Sequence, residues 1–231
     1  MTIKDWLEGL SYKLVQGSLD VEVNEVVYDS RKAAPGAVFV CMKGTKIDSH
    51  DFIPQVTEAG VKVLVTEHPV EAPEGVTVVE TENGREALAL LSAARFGYPS
   101  RKLTMIGVTG TKGKTTTTHM IKTILETSGK KTGMIGTNGV YIGKEHFPTV
   151  NTTPESYDLH RYFAKMVEEG CECCVMEVSS QAMKMHRVAG IHFNYGLFTN
   201  ISPDHIGKDE HADFAEYLYY KKQLFYQCDR A

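Results

Sequence analysis

No apolar run in the 231-residue chain approaches the length of a membrane span, and its first ten residues, MTIKDWLEGL, do not have the form of a signal peptide. Both absences predict a cytoplasmic protein without a membrane partner. A strong charge imbalance is also missing. The formal net charge of -4 argues against a general nucleic-acid binder. There is no internal repeat and no low-complexity segment. Cysteine is sparse and odd in number, at five, with Cys171, Cys173 and Cys174 crowded together. Neighbouring strand residues make poor disulfide partners, and the spacing fits no zinc pattern, so reduced cysteines in a core are expected. What is present is a globular balance of 42% hydrophobic and 23% charged residues, in a chain long enough for one large or two ordinary domains.

The stretch MIGVTGTKGKTTTTHM, Met105 to Met120, organises the rest. Leu103 to Thr109 is apolar and β-prone, as a buried parallel strand requires. The chain then turns through Gly110 and Gly113 and enters a helix at Lys114. Glycines let the backbone approach an anion, and the new helix points unpaired N–H groups at it. Lys114 supplies a point charge for the β/γ-phosphates, and the Thr115 hydroxyl is placed to ligate Mg²⁺. The general P-loop pattern G-x-x-x-x-G-K-[ST] asks for glycine where Val108 stands; the glycines run instead Gly107, Gly110, Gly113. An ordinary Gly-rich strand-to-helix turn is the bland alternative, disfavoured because strand, G-K-T and helix occur in the required order.

Before this loop, Trp6–Leu10 reads as a short helix, Val21–Tyr28 and Ala37–Met42 as strands, and His50–Ala59 as a helix ended by Gly60. Val61–Thr66 and Gly75–Val79 are β-rich, and Asn83 with Glu86 offers a capping box for the next helix. Gly97-Tyr98-Pro99-Ser100 reads as a linker. A small α/β domain over 1–100 is therefore expected, and a second over 101–231. In the second, the loop helix runs to about Ser128 and Lys131–Thr137 is a strand. A hairpin follows at Asn138-Gly139, then a helix from Thr153-Pro154 to Gly170. Glu172–Ser179 and His192–Asn200 read as strands, Gln181–Ala189 and Ala212–Tyr226 as helices, the last closing the chain. Such alternation implies an α/β fold with a mainly parallel sheet, whose ligands sit at the carboxyl ends of the strands. That gathers the loop, Glu177-Val178-Ser179-Ser180 and Asn200–His205 round one crevice. Glu177 ends a hydrophobic strand, where a carboxylate is expensive unless paired, and a metal-ligand role explains it; a salt-bridged strand end is the alternative. Asp204-His205 is weaker by itself, because a lone histidine is more often a surface or hydrogen-bonded core residue.

Thr109-Gly110-Thr111-Lys112-Gly113-Lys114-Thr115 resembles the ATP loop of the Mur ligases, the amide-forming enzymes of peptidoglycan precursor synthesis, whose own loop has this glycine spacing. Asp29-Ser30-Arg31, Asn151-Thr152-Thr153-Pro154-Glu155, Met176-Glu177-Val178-Ser179-Ser180, His186-Arg187-Val188 and Thr199-Asn200 with Asp204-His205 extend the resemblance over nearly the whole chain. It is closest to the branch that adds a third, diamino, acid to UDP-MurNAc-L-Ala-D-Glu. The resemblance implies an N-terminal UDP-sugar-binding domain and an ATP-binding central domain. Ser30 would touch the UDP part, and Asn151, Thr152, Thr153, Ser179 and Arg187 the muramoyl-dipeptide end. Gly110, Thr111, Lys112, Gly113, Lys114, Thr115 and Thr116, with Asn200, would hold ATP. Thr115, Glu177 and His205 would serve Mg²⁺, with Lys221 carbamylated as a further metal ligand; Tyr217 and Phe225, four residues to either side, favour Lys221 over Lys222. Lys114, Glu177, His205 and Lys221 would be the catalytic set. Met185 stands where the family often has glutamine.

The implied reaction activates a carboxylate as an acyl phosphate, which the amine of a free amino acid then attacks. The resemblance also implies a monomer, a central sheet that continues past Ala231 and a third domain after it, so that this front part would not complete ligation alone. Two alternatives stay open on the residues: another amide ligase of the superfamily, such as a folylpolyglutamate synthase, and a non-catalytic nucleotide-binding module or small-molecule kinase.

Overall fold

The computed structural model describes residues 1–44, 47–207 and 210–231. The chain divides into two compact units, Met1–Arg95 and Phe96–Ala231.

The first unit opens with a one-turn helix, α1 (Ile3–Trp6), followed by β1 (Lys13–Gln16), β2 (Glu25–Val27), β3 (Ala37–Val40), α2 (Ile53–Glu58), β4 (Val63–Thr66), β5 (Thr77–Glu80) and α3 (Gly84–Arg95). The sheet runs β1-β5-β4-β3-β2, parallel from β2 to β5, with β1 antiparallel at the edge. Val38, Phe39 and Val40 are all fully buried, so β3 reads as a continuous apolar run and not as an alternating one. Asn83 caps α3 as its sequence foretells: Oδ1 accepts from the backbone N–H of Arg85 at 3.0 Å and of Glu86 at 3.1 Å. Trp6, 2% exposed, packs α1 into the core.

Several expected elements shift. The first helix lies at Ile3–Trp6 and not at Trp6–Leu10, because the Asp5 carboxylate accepts from the Thr2 backbone N–H and starts the turn earlier. The strand expected over Val21–Tyr28 keeps only Glu25–Val27. The His50–Ala59 helix begins as a 3₁₀ turn, Ser49–Phe52, with Asp48 as its cap. Strand β1 has no counterpart in the pattern, since it is exposed along most of its length and needs only β5 as a neighbour.

The second unit carries β6 (Thr104–Thr109), α4 (Lys114–Thr127), β7 (Thr132–Gly136), β8 (Gly139–Ile142), β9 (Glu145–Phe147), α5 (Ser156–Glu168), β10 (Cys173–Glu177), α6 (Ser180–Lys184), β11 (Phe193–Phe198), α7 (Phe214–Tyr226) and β12 (Cys228–Arg230). The strand order is β12-β11-β6-β10-β7-β8-β9, parallel from β12 to β7 and antiparallel through the two hairpins after it. One sheet face packs Met105, Ile135, Met176 and Phe193 against α5 and α7 residues such as Phe163, Met166 and Leu224. The other covers Ile106, Val108 and Val175 with Ile121 and Leu125 of α4. All five cysteines are free, and four are buried.

Three differences bear on the site. Helix α5 starts at Ser156, with Glu155 as cap, because Thr153 is bonded elsewhere. Helix α6 stops at Lys184 instead of Ala189: the Arg187 N–H returns to the Ala182 carbonyl while His186 takes a left-handed φ of 53°. The last helix is followed by β12, so it does not close the chain. Strand β6 lies between β10 and β11: the chain leaves it across β10 to β7, and later returns from β10 across β6 to β11, in the opposite direction along the sheet. Its carboxyl end is therefore a switch point of the kind where ligands bind.

Candidate active site

The loop after β6 is braced from behind. Gly110 has φ +142°, and a Cβ there would lie 2.0 Å from Thr199 Oγ1, so no other residue fits without displacement. Thr199 Oγ1 donates to the Lys112 carbonyl at 2.7 Å. Asn200 Oδ1 accepts from the Lys112 backbone N–H at 3.0 Å, and its carbonyl accepts from the Thr111 N–H at 2.9 Å. The Asn200 amide thus shapes the loop from the β11 side. Thr111 Oγ1 shares a hydrogen bond with Tyr217 Oη at 3.0 Å and accepts from the Ser202 N–H, tying α7 and the 200–205 segment to the same loop.

Two lysines converge on one carbonyl. Lys114 Nζ donates to Gly110 O at 3.0 Å and to Thr111 O at 3.2 Å; Lys221 Nζ donates to Gly110 O at 2.7 Å. Burial lowers the Lys114 pKa, against the pull of Glu177 and Asp204. Lys221 is 2% exposed; burial first, then the Lys114 charge, bring its pKa down to about 7. Its stem lies near the face of Tyr217, with Nζ 4.6 Å from the ring centroid.

Glu177 ends β10 almost completely buried. Its Oε1 accepts from Thr115 Oγ1 at 2.9 Å and from the Thr137 N–H at 3.0 Å, and its Oε2 from Thr137 Oγ1 at 3.2 Å. Gly136 makes room: a Cβ there would meet Oε1 at 2.4 Å. A buried carboxylate whose hydrogen-bond donors are all neutral, beside the hydroxyl that follows the loop lysine, fits a hard divalent cation such as Mg²⁺.

Thr153 joins this cluster to the next. Its Oγ1 donates to the Glu177 carbonyl at 3.0 Å and accepts from the Ser179 N–H at 3.1 Å, while Ser179 Oγ caps α6 through the Ala182 N–H at 3.0 Å. Arg187 Nη1 donates to the Thr153 carbonyl at 3.1 Å, and Nε stands 3.6 Å from Glu155 Oε2. Thr152 Oγ1 lies 3.1 Å from Thr137 Oγ1, and Asn151 is exposed. Asp204 pairs with Lys112 at 3.5 Å. His205 is half exposed, with φ 54° and Nδ1 2.9 Å from Glu210 Oε1. The structure therefore draws Lys114, Thr115, Glu177, Lys221, Thr153, Ser179 and Arg187 into linked contacts; His205 stays outside that network, against Tyr217 and Glu210.

Ser30 belongs to the first unit. It starts a 3₁₀ turn, Ser30–Lys32, that Asp29 caps while bonding the Arg31 guanidinium at 2.8 and 2.7 Å, which holds its carboxyl down to about 2. A cavity of about 650 Å³ opens beside it, lined by Tyr28, Ser30, Phe52 and Arg85 among others. Asp48, His50 and His68 also lie close together in this unit. His50 Nε2 accepts from the Glu67 N–H, so Nδ1 carries the proton and gives it to Asp48. Neither ring nitrogen of His50 is left for an ion.

Nothing in the sequence pattern singles out Thr137 or Gly136, and Thr199 enters only as part of the Thr199-Asn200 motif, with no role of its own. The one available signal is position: Thr137 and Thr199 each lie just past the carboxyl end of a strand beside β10 or β6.

Residues 108–231 match the pattern of the Mur ligase middle domain, and residues 22–96 that of the Mur ligase family catalytic domain. The chain belongs to the Mur ligase family. It is 45% identical over 225 residues to the UDP-N-acetylmuramoyl-L-alanyl-D-glutamate--2,6-diaminopimelate ligase of Clostridium perfringens, covering 97% of this chain and 46% of that protein. It is 45% identical over 211 residues to the enzyme of the same description from Geobacillus thermodenitrificans, covering 91% and 42%. The chain spans about half the length of the curated relatives it matches. A solved structure of a ligase of that description superposes with a TM-score of 0.82 at 19% identity, over 98% of this chain and 45% of that one. MurF of Thermotoga maritima, in complex with ADP, gives 0.57 at 20% identity, over 90% and 44%. These last two likenesses establish the fold. Among the described residues, no helix is long and apolar enough to cross a membrane.

Proposed function

We propose that this chain is the ATP- and UDP-sugar-binding part of a ligase that joins a diamino acid to UDP-MurNAc-L-Ala-D-Glu in peptidoglycan precursor synthesis. Residues 1–100 would hold the UDP end through Ser30, and 101–231 would hold ATP. The observation that carries this reading is Glu177, buried beside Thr115 and met by neutral donors where the glycine loop enters α4. The relatives' description supports the choice of substrate, and the ADP in the Thermotoga protein supports the choice of nucleotide.

A carboxylate is a poor acyl electrophile. Transfer of the γ-phosphoryl group makes it an acyl phosphate, and the incoming amine displaces phosphate through a tetrahedral intermediate. The protein supplies orientation and positive charge. Lys114 neutralises the transferring phosphoryl oxygens, and the N–H groups at the start of α4 bind them. Arg187, with Ser179 and Thr153, orients the acceptor carboxylate; Asn151 and Thr152 complete that side. Mg²⁺, held by Thr115, Glu177, His205 and a carbamylated Lys221, would add further charge neutralisation. The Lys221 pKa near 7 leaves a fraction of neutral amine to attack CO₂, forming an N–C bond and releasing a proton. The working protein is taken to be a cytoplasmic monomer.

Calorimetric titration of this chain tests the reading. Mg²⁺·ADP and UDP-MurNAc-L-Ala-D-Glu should each bind, Lys114→Ala should lose the first, and a folate should not compete with the second. Phosphate release by the whole protein should require both the UDP-sugar peptide and a diamino acid. ADP formation without phosphate release, and without need of the amino acid, would point to a kinase and overturn the proposal.

A further inference from the structure

His211 is 1% exposed and plays no part in the mechanism above. Its Nε2 lies 2.9 Å from Ser180 Oγ, at the first residue of α6. Its Nδ1 has no hydrogen-bond partner and stands 3.8 Å from Glu216 Oε2 on α7. The ring is wedged between Tyr217 and Tyr220, at centroid distances of 5.4 and 5.7 Å.

The backbone at the same residue closes a loop. The His211 N–H donates to the His205 carbonyl at 3.1 Å, and the Gly207 N–H donates to the His211 carbonyl at 3.0 Å. Among the described residues His205 is one of three non-glycine residues with positive φ, a conformation that persists only where its surroundings enforce it. Lys184 of α6 reinforces the attachment, with Nζ 2.8 Å from the Glu210 carbonyl and 2.9 Å from Glu216 Oε1. Ser180 is one residue from Ser179 and three from Glu177. The contact therefore joins the segment bearing Asp204 and His205 to the end of the strand bearing the buried carboxylate.

We infer that His211 is a positioning residue for the cation site: its bond to Ser180 clamps residues 201–207, 210 and 211 onto α6 and holds His205 in its left-handed conformation. The inference rests on the cation role given to Glu177 and His205. Leucine at 211 keeps bulk between the two tyrosines but cannot bond Ser180, whereas glutamine retains an amide that can reach it.

The test is hydrogen exchange and calorimetry on this chain, for the wild type, His211→Leu, His211→Gln and Ser180→Ala. Exchange needs no nucleotide. The His211→Leu and Ser180→Ala proteins should exchange the 204–207, 210 and 211 amides about tenfold faster, the loss of one buried hydrogen bond, with His211→Gln near the wild type. The gain in ADP affinity on adding Mg²⁺ should fall about tenfold in the same two variants, with ADP affinity in EDTA unchanged. Unchanged exchange in His211→Leu overturns the clamp whatever the nucleotide does. Faster exchange with an undiminished Mg²⁺ effect, or an equal loss with and without Mg²⁺, overturns its connection to the cation. A wild type that binds ADP with no Mg²⁺ effect overturns the cation role itself, and is seen before any variant is compared.

Discussion

Thr115, the second residue of α4, gives its hydroxyl hydrogen to Glu177 at the end of β10, across 2.9 Å and 62 positions of sequence. The helix that follows the glycine loop is thus fastened directly to the strand that carries the buried acid. Glu177→Gln keeps the shape and most of the contacts while removing the charge. The Mg²⁺-dependent part of ADP affinity should drop by about a hundredfold, the scale of about 3 kcal/mol for a lost charged contact, with metal-free affinity within a few-fold. Titrations at matched free Mg²⁺ check it.

Gly110→Ala should be far worse than Gly129→Ala, although both glycines have positive φ. At Gly129 a Cβ meets nothing within 4 Å, so only the backbone preference is lost, about 1 kcal/mol. At Gly110 the methyl would collide with Thr199 Oγ1, and a cost of about 3 kcal/mol with loss of nucleotide binding is expected. Urea unfolding and ADP titration of the two variants measure the difference.

His160 of α5 is fully buried, and neither ring nitrogen has a partner. Burial pushes its pKa down to about 3. The unfolded chain takes up this proton near the ordinary histidine value, so stability is lost as pH falls from there towards 3. By pH 5 the loss is about 2 kcal/mol. His160→Leu should remove that part of the slope and raise stability at every pH. Urea midpoints of both proteins at pH 7.5 and pH 5 decide it; parallel slopes would refute it.

Arg187→Lys keeps the charge but loses the fork that reaches Thr153 and Glu155. Affinity for UDP-MurNAc-L-Ala-D-Glu should fall about tenfold or more while ADP affinity stays put. Equal losses for both ligands would mean that the α5 entry had collapsed instead.

The order β6–loop–α4, the parallel neighbours and the crevice were legible because an apolar run, glycine punctuation and G-K-T occur together. The capping of α3 by Asn83 was legible from the pair Asn83 and Glu86. Other features depended on distant partners. Thr153-Pro154 looks like a helix start, yet the threonine is bound to Glu177 and Ser179, so α5 begins three residues later. The end of α6 is set by His186 entering a conformation that sequence rarely announces for histidine. Strands β1 and β12 are short and sit at sheet edges, where little apolar periodicity is needed. Within the site, Lys114, Thr115 and Glu177 were readable from type and order. Thr137 was not, because a lone threonine after a strand carries no pattern of its own, and Thr199 was legible only as a motif position whose bond to the loop the sequence does not show.

Trp6 is the protein's single tryptophan, and it is sealed inside the first unit. Indole emission is therefore a private thermometer for that half: excited selectively, it reports on the melting of Met1–Arg95. Circular dichroism follows both halves at once. On heating with Mg²⁺ and ADP, a ligand that grips only the second unit would delay the ellipticity change and leave the fluorescence curve where it was, unless the halves melt as one.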